Sequence, residues 1–329
     1  MTEFIIRRLL QSSLVVLVMI SLVFVGVYVI GNPVDVLIDQ DAEKVDFERM
    51  VAMLGLDRPL WEQFLVYVGN LLTGEMGRSF AYGEPALRLV VERIPATLEL
   101  VTVAVMLSLV VAVPLGMWAG LYPERKSTRA VMGMSIVGVS IPNFWQGLML
   151  ILLFAVLLDW LPSGGRGDVA TVFGIESSLW TLDGWAHLIL PATNLALFNM
   201  TLVIRLLRAS VREIVLLDYI KFAHAKGLRR ARIICVHVFK NTLVVLITVL
   251  GLEVGSLIAY SVITETIFSW PGMGKLIIDS IYILDRPVIV AYLIVVVMMF
   301  ILINLIVDIA YSLIDPRIRL GSAGGARRE

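Results

Sequence analysis

Residues 288–313 read VIVAYLIVVVMMFILINLIVDIAYSL, and Asp308 is the one charge among them. A helix rises about 1.5 Å per residue, so about 20 apolar residues cross the roughly 30 Å hydrocarbon core of a bilayer. Five more such runs precede this one, at approximately Leu9–Ile30, Thr97–Leu121, Ala130–Leu158, Trp185–Leu206 and Thr242–Ile263. They are continuously apolar and do not alternate, which excludes a β-barrel. In lipid each run must satisfy its own backbone hydrogen bonds, so each should be helical. The expected fold class is an all-α integral membrane protein with six transmembrane helices. Whole-chain composition agrees: 59% of the 329 residues are hydrophobic and 16% charged, with a mean hydropathy of +0.89. A soluble surface usually needs about 25% charged residues. Arg7 and Arg8 look like the start of a signal peptide. The first run is too long for one and no A-x-A-like site follows, so an uncleaved first helix is expected.

Lys and Arg number 27, as do Asp and Glu, so the formal net charge is zero. That balance excludes a strongly basic nucleic-acid binder, and the apolar content excludes a disordered polar chain. The charges are not evenly spread. One side of the membrane takes the N-terminus, the loop at 122–129, the segment 205–240 and the C-terminal tail, with 18 basic and 6 acidic residues. The other takes 31–96, 159–185 and 264–287, with 9 basic and 18 acidic residues. The positive-inside rule makes the first side cytoplasmic and places both termini there. The expected organisation is a tail and first helix at 1–30, a helical outer loop at 31–96, a five-helix core at 97–320 and a tail at 321–329. The core includes the cytoplasmic segment 205–240.

The outer loop 31–96 opens acidic and then shows two amphipathic stretches, Phe47–Leu56 and Pro59–Leu72. Proline near a helix start and Glu62 in the first turn mark the second, and Gly74, Gly77, Gly83 and Pro85 end the pattern. This loop is either a small cap or a docking element. Segment 205–240 holds nine basic and two acidic residues, with Ile214, Leu217 and Ile220 at helical spacing and Gly227 as a stop. It reads either as an interfacial helix on anionic lipid headgroups or as a docking helix, with small residues beside Gly227 allowing close approach. Residues 264–275, TETIFSWPGMGK, mix one acid with aromatics and a Pro-Gly turn. They suit either a segment tucked into the membrane edge or an ordinary outer turn.

Enzymatic motifs are absent from the sequence. Gly272-Met273-Gly274-Lys275 lacks both the upstream Gly and the following Ser or Thr of a phosphate loop. No G-x-S-x-G elbow and no H-E-x-x-H occurs. Cys235 is the single cysteine, which excludes an internal disulfide and a Cys-based zinc site. His187, His224 and His237 are scattered. Glu253 is different: it sits mid-span in Gly251-Leu252-Glu253-Val254-Gly255-Ser256, where a charge is costly unless it faces a cavity or a partner. The G-x-x-x-G spacing of Gly251 and Gly255 allows close helix packing, with Glu253 and Ser256 free to face a pathway. Asp308 is expected nearer the cytoplasmic end and Glu99 at the outer interface.

Several blocks together resemble one family, the inner-membrane permease subunits of peptide-type ABC importers (dipeptide, oligopeptide, glutathione and nickel systems). Asp218-Tyr219-Ile220-Lys221-Phe222-Ala223-His224-Ala225-Lys226-Gly227-Leu228 resembles their cytoplasmic EAA loop, with Lys221 and Phe222 in place of the general Glu and first Ala. Further matching blocks are Leu54–Leu60, Arg93–Leu100, Ser140–Trp145, Leu161–Gly165, Glu265–Gly274 and Asp315–Arg319. Glu253 departs from the family pattern.

The resemblance implies a type I importer permease in the bacterial cytoplasmic membrane, itself not an enzyme. Asp218, Tyr219, Ala223, Ala225, Lys226, Gly227 and Leu228 would form the helix that couples to the ATPase. Glu265, Phe268, Trp270, Pro271 and Gly272 would serve the outer face, toward a solute-binding protein. Implied partners are a homologous second permease as heterodimer, two ABC ATPase subunits, a periplasmic or lipid-anchored binding protein, and membrane lipid. This chain would hold no cofactor or metal, since ATP and Mg would be bound by the ATPases. Peptides are the expected substrate, with nickel chelates, glutathione or another small solute as alternatives. Two other classes remain open on sequence: a proton-coupled secondary transporter using Glu253, and a structural subunit without a path.

Overall fold

The computed structural model describes residues 2–29, 57–172 and 174–314. In chain order the helices are α1 (Thr2–Val29), α2 (Leu60–Thr73), α3 (Ala86–Val91), α4 (Ile94–Leu121), α5 (Lys126–Ser140) and α6 (Asn143–Leu150). After a hairpin, β1 (Ala170–Val172) and β2 (Ile175–Ser177), come α7 (Leu182–Val215), α8 (Asp218–Ala225), α9 (Phe239–Ile267), α10 (Met273–Tyr282) and α11 (Arg286–Ile314). Each apolar run is helical among the described residues, with a break at Ile141–Pro142 in the third. Among the described residues, Ala86–Leu121, Leu182–Val215 and Arg286–Val307 are each long and apolar enough to cross a membrane. Lys126–Gly138 with Asn143–Leu157 makes a fourth if the pair is one span.

That pair corrects the expectation of one uninterrupted helix over Ala130–Leu158. The two pieces meet at 108°. Pro142 has no N–H for the helical ladder, and its ring pushes the preceding residue out of the helical region. Ile141 accordingly sits at φ −88°, ψ 126°. Beyond α6 the chain continues as π-helical turns over Ile151–Leu157.

The chain divides into two compact units, Met1–Ile94 with Lys275–Leu302 and Pro95–Gly274 with Ile303–Glu329. In the first, the Phe24 ring of α1 meets Phe64 and Tyr67 of α2 at 5.2 and 5.5 Å. Helix α2 starts after Pro59 and stops at Gly74, whose φ of 79° is the left-handed cap that glycine adopts without strain. The stretch Phe47–Leu56 lies outside the described residues. The Asp285 carboxylate accepts hydrogen bonds from the Ser79 hydroxyl and from the N–H groups of Phe80 and Ala81, which fixes the turn after α2.

The second unit is built around α7 and α9. Leu188, Leu195, Val203, Leu207 and Val211 of α7 are buried. Gly116 and Gly120 let α4 lie close on α7, since a Cβ at either would run into Leu207 or Val211. Gly251 does the same for α9 against Val307.

Candidate functional site

Three places concentrate the polar chemistry of the second unit. The first is the segment from Glu265 to Gly274. Glu265, Phe268 and Trp270 are completely buried, and Gly272 is buried beside them. Thr97 donates its hydroxyl to Glu265 Oε1 at 2.7 Å and accepts the Met273 N–H at 2.9 Å. Ser261 donates to the same carboxylate oxygen at 3.2 Å. The Trp270 indole N–H reaches the Ala96 carbonyl at 2.8 Å. A carboxylate thus lies at the positive start of α10, a favourable placement for the helix dipole. Gly272 and Gly274 pass so close to Glu265 that a Cβ at either would collide with its carboxylate. Glu265, Phe268, Trp270 and Gly272, expected as outer-face contacts, therefore face inward in this chain and hold the end of α9 to the start of α4. Pro271 is only partly exposed. The segment folds inward against α4.

Glu99, expected at the interface, is also inside. Its carboxylate pairs with Arg166 at 2.8 Å and accepts the Ser178 hydroxyl at 2.9 Å. Side-chain exposures of 15% for Arg166 and 7% for Glu99 make this a sheltered pair that pins the loop carrying the β1–β2 hairpin to α4. Asn194 likewise donates to Asn143 Oδ1 at 2.6 Å and to Thr264 Oγ1 at 3.0 Å, joining α6, α7 and α9.

The second place is α8 and its cap. Ile220 and Ala223 are buried against Met117, Val211, Ile233 and Val238. Asp218, Tyr219, Phe222, Ala225, Lys226 and Gly227 are exposed. Ala223, grouped with the docking residues on sequence, therefore faces the chain's own core: at helical spacing it shares the Ile220 side of α8. The helix ends in a Schellman turn, with Gly227 N–H on His224 O at 2.9 Å and Leu228 N–H on Ala223 O at 3.2 Å. Gly227 has φ 72° and no atom within 4 Å of where a Cβ would sit. Leu228 packs on the same apolar cluster. Asn241 donates to the Tyr219 hydroxyl at 2.8 Å, tying α8 to the start of α9. On the outer side of α8 the Lys226 ammonium lies 4.5 Å from the Phe222 ring centre. Lys221 pairs with Asp218 at 2.8 Å and holds that carboxyl below its ordinary value.

The third place is a cavity of about 350 Å³ between α7 and α9. Phe198, Thr201 and Arg205 line it from α7, and Glu253, Ser256 and Tyr260 from α9. Of the pathway candidates, Glu253 and Ser256 are brought here. Gly251 and Gly255 are buried and are not part of the lining. Sequence reading missed Arg205 and the Phe198–Tyr260 ring pair, 5.3 Å apart. The signal was present as spacing i, i+3, i+7 on each helix, but it became meaningful only once α7 and α9 were known to be neighbours.

The fold is that of ABC-importer permeases. A chain of the MetNI methionine ABC transporter, solved in inward-facing conformations, matches with a TM-score of 0.57 at 19% identity, over 70% of this chain and 99% of that one. The chain belongs to the binding-protein-dependent transport system inner membrane component family, whose model matches residues 112–320, with the N-terminal model of the same systems on residues 1–101. Among curated proteins it is 37% identical to the oligopeptide transport system permease protein AppB of Bacillus subtilis, over 97% of this chain and 99% of AppB. It is 37% identical to the dipeptide transport system permease protein DppB of Escherichia coli, with the same coverage. The di/tripeptide permease DppB of Pseudomonas aeruginosa is 40% identical over 88% of this chain and 90% of its own length. This protein is thus an inner-membrane transport subunit and not an enzyme.

Proposed function

We propose that the chain is one of two homologous permease subunits of an ATP-driven importer for di- or oligopeptides. Its six apolar helices cross the membrane with both termini cytoplasmic, a reading supported by the asymmetry of 18 against 9 basic residues. Two ATPase subunits, which bind the ATP and Mg, dock on α8 and its Gly227 cap. A periplasmic or lipid-anchored solute-binding protein delivers substrate to the outer face. The names of the relatives support peptides as cargo.

The observation that carries the reading is α8. One face is anchored in the chain's own core by Ile220 and Ala223, while Tyr219, Phe222, Ala225 and Lys226 stay exposed. A helix held rigidly on one side and bare on the other can pass a movement of the ATPases into α4, α7 and α9, a bistable interface of the usual kind. Three of those helices touch the cluster under α8, through Met117, Val211 and Phe239. The test is reconstitution of the full complex in proteoliposomes. Uptake of a labelled peptide should require ATP, the ATPases and the binding protein. Uptake by this chain alone on a proton gradient, without ATP, would instead make it a secondary transporter working through Glu253.

A further inference from the structure

The cavity between α7 and α9 holds two opposite charges for which no described residue supplies a partner. Glu253 and Arg205 both line it, and neither forms an ion pair or a side-chain hydrogen bond with another described residue. Glu253 lies in the middle of an apolar run, where an unpaired charge costs several kcal/mol. A cationic group that fills this cavity would offset that cost.

The lining is layered. Helices α7 and α9 run antiparallel, and the Phe198 and Tyr260 rings meet across the gap. Arg205 lies seven residues beyond Phe198, and Glu253 seven residues before Tyr260. At about 1.5 Å per residue, both charges therefore sit at the same depth, roughly 10 Å from the ring pair. The hydroxyls of Thr201 and Ser256 lie between, about 5 Å from the rings by the same rise. Thr201 donates to its own helix at Leu197 O, so its oxygen keeps acceptor capacity toward the gap. Aromatic faces, then hydroxyls, then one carboxylate and one guanidinium match a short peptide: side chains against rings, amides on hydroxyls, and the two charged ends on Glu253 and Arg205. A volume of about 350 Å³ falls within the ~300–1,000 Å³ of small-ligand sites.

We propose that Glu253 and Arg205 form a zwitterion site on the translocation path, with Glu253 taking the ammonium end of a short peptide and Arg205 its carboxylate end. The site rests on the importer reading above and adds to it a chemical rule: cargo must carry both free termini.

The test uses the complete importer, with its partner subunits and binding protein, in proteoliposomes of phosphatidylglycerol alone and of phosphatidylglycerol with phosphatidylethanolamine. The measurement is ATP-driven uptake of a labelled, free-ended tripeptide. Glu253→Gln and Arg205→Gln should each lower uptake about tenfold, the scale of losing one charged hydrogen-bond partner, in both lipid mixtures. Glu253→Asp and Arg205→Lys, which keep the charges, should recover most of it. All subunits should co-purify with each variant. Wild-type uptake in both Gln variants overturns the site. Loss of co-purification also overturns it, because the charges would then be a contact between subunits. A defect confined to phosphatidylethanolamine vesicles overturns it in favour of a zwitterionic lipid headgroup. If the wild-type complex itself takes up no peptide with ATP, the importer reading fails instead, a result that none of the variants can mimic.

Discussion

Two segments of similar length carry distinctive local chemistry, 218–228 and 265–274, and the fold uses them in opposite ways. The first keeps Tyr219, Phe222 and Lys226 outside and commits only Ile220, Ala223 and Leu228 to packing. The second buries Glu265, Phe268, Trp270 and Met273, and uses Thr97 to satisfy the buried carboxylate. A charged, aromatic block of sequence can therefore be left as an exposed face or become an internal joint. What separates the two is the supply of partners: Glu265 has Thr97 and Ser261 within reach, whereas Asp218 and Lys221 pair with each other and Lys226 rests on the Phe222 ring, all within α8 and its cap.

The contrast predicts where substitution harms the fold and where it harms only coupling. Trp270→Ala should have the largest effect, about 3–5 kcal/mol of stability for a fully buried indole, read as thermal unfolding of the detergent-purified complex. A wild-type melting temperature would show that the segment is not an internal joint. Glu265→Gln keeps an oxygen that can accept from Thr97 and Ser261 but removes the charge at the start of α10, and should cost about 1–2 kcal/mol in the same assay.

Gly227→Val lies on the other side of the comparison. No atom crowds the position, so the cost is the left-handed backbone, about 1–2 kcal/mol. The melting temperature should move by only a few degrees, while ATP-driven uptake should be lost if the cap belongs to the proposed docking face. Normal uptake and normal ATPase stimulation by the loaded binding protein would remove α8 from the coupling role.

The smallest effect belongs to Lys221→Ala. Lys221 lowers the folded-state pKa of Asp218 below the ordinary 3.8, so the pair stabilises above that value and its contribution fades as pH falls through the lowered one. Wild type and variant should differ by a small constant amount from pH 5 to 8, and the gap should close below about pH 4. Added salt should shrink it, since both partners are solvent-exposed. A gap that grows on acidification would place the stabilising partner of Lys221 elsewhere.

Much of the architecture was legible because its causes are local. Continuous apolar runs fix helices in lipid without reference to the rest of the chain. Pro59 and Gly74 bound α2, and Gly227 ends α8, because their backbone restrictions act on their own residues. Pro142 was just as visible, yet the 108° bend it introduces was not anticipated. Hydropathy averages over a proline and does not register the missing N–H. The inward turn of 265–274 was undecidable for another reason. Its outcome depends on Thr97, 168 positions away in sequence.

The candidate pathway shows the same division. A charge in the middle of a span made Glu253 conspicuous in the sequence, and G-x-x-x-G spacing gave its glycines a packing role that Gly251 fulfils against Val307. Arg205, counted only as one of nine basic residues in 205–240, was not connected to Glu253 at all. Hydropathy and backbone restrictions are properties of single residues and their near neighbours, so the sequence by itself determined the helices and their stops, and charge asymmetry gave an expected side for each loop. Which polar groups meet depends on how helices distant in sequence lie against each other. The close approach of α7 to α9, and of α4 to both, therefore decided that Glu265 became a joint and that Glu253 shares a cavity with Arg205.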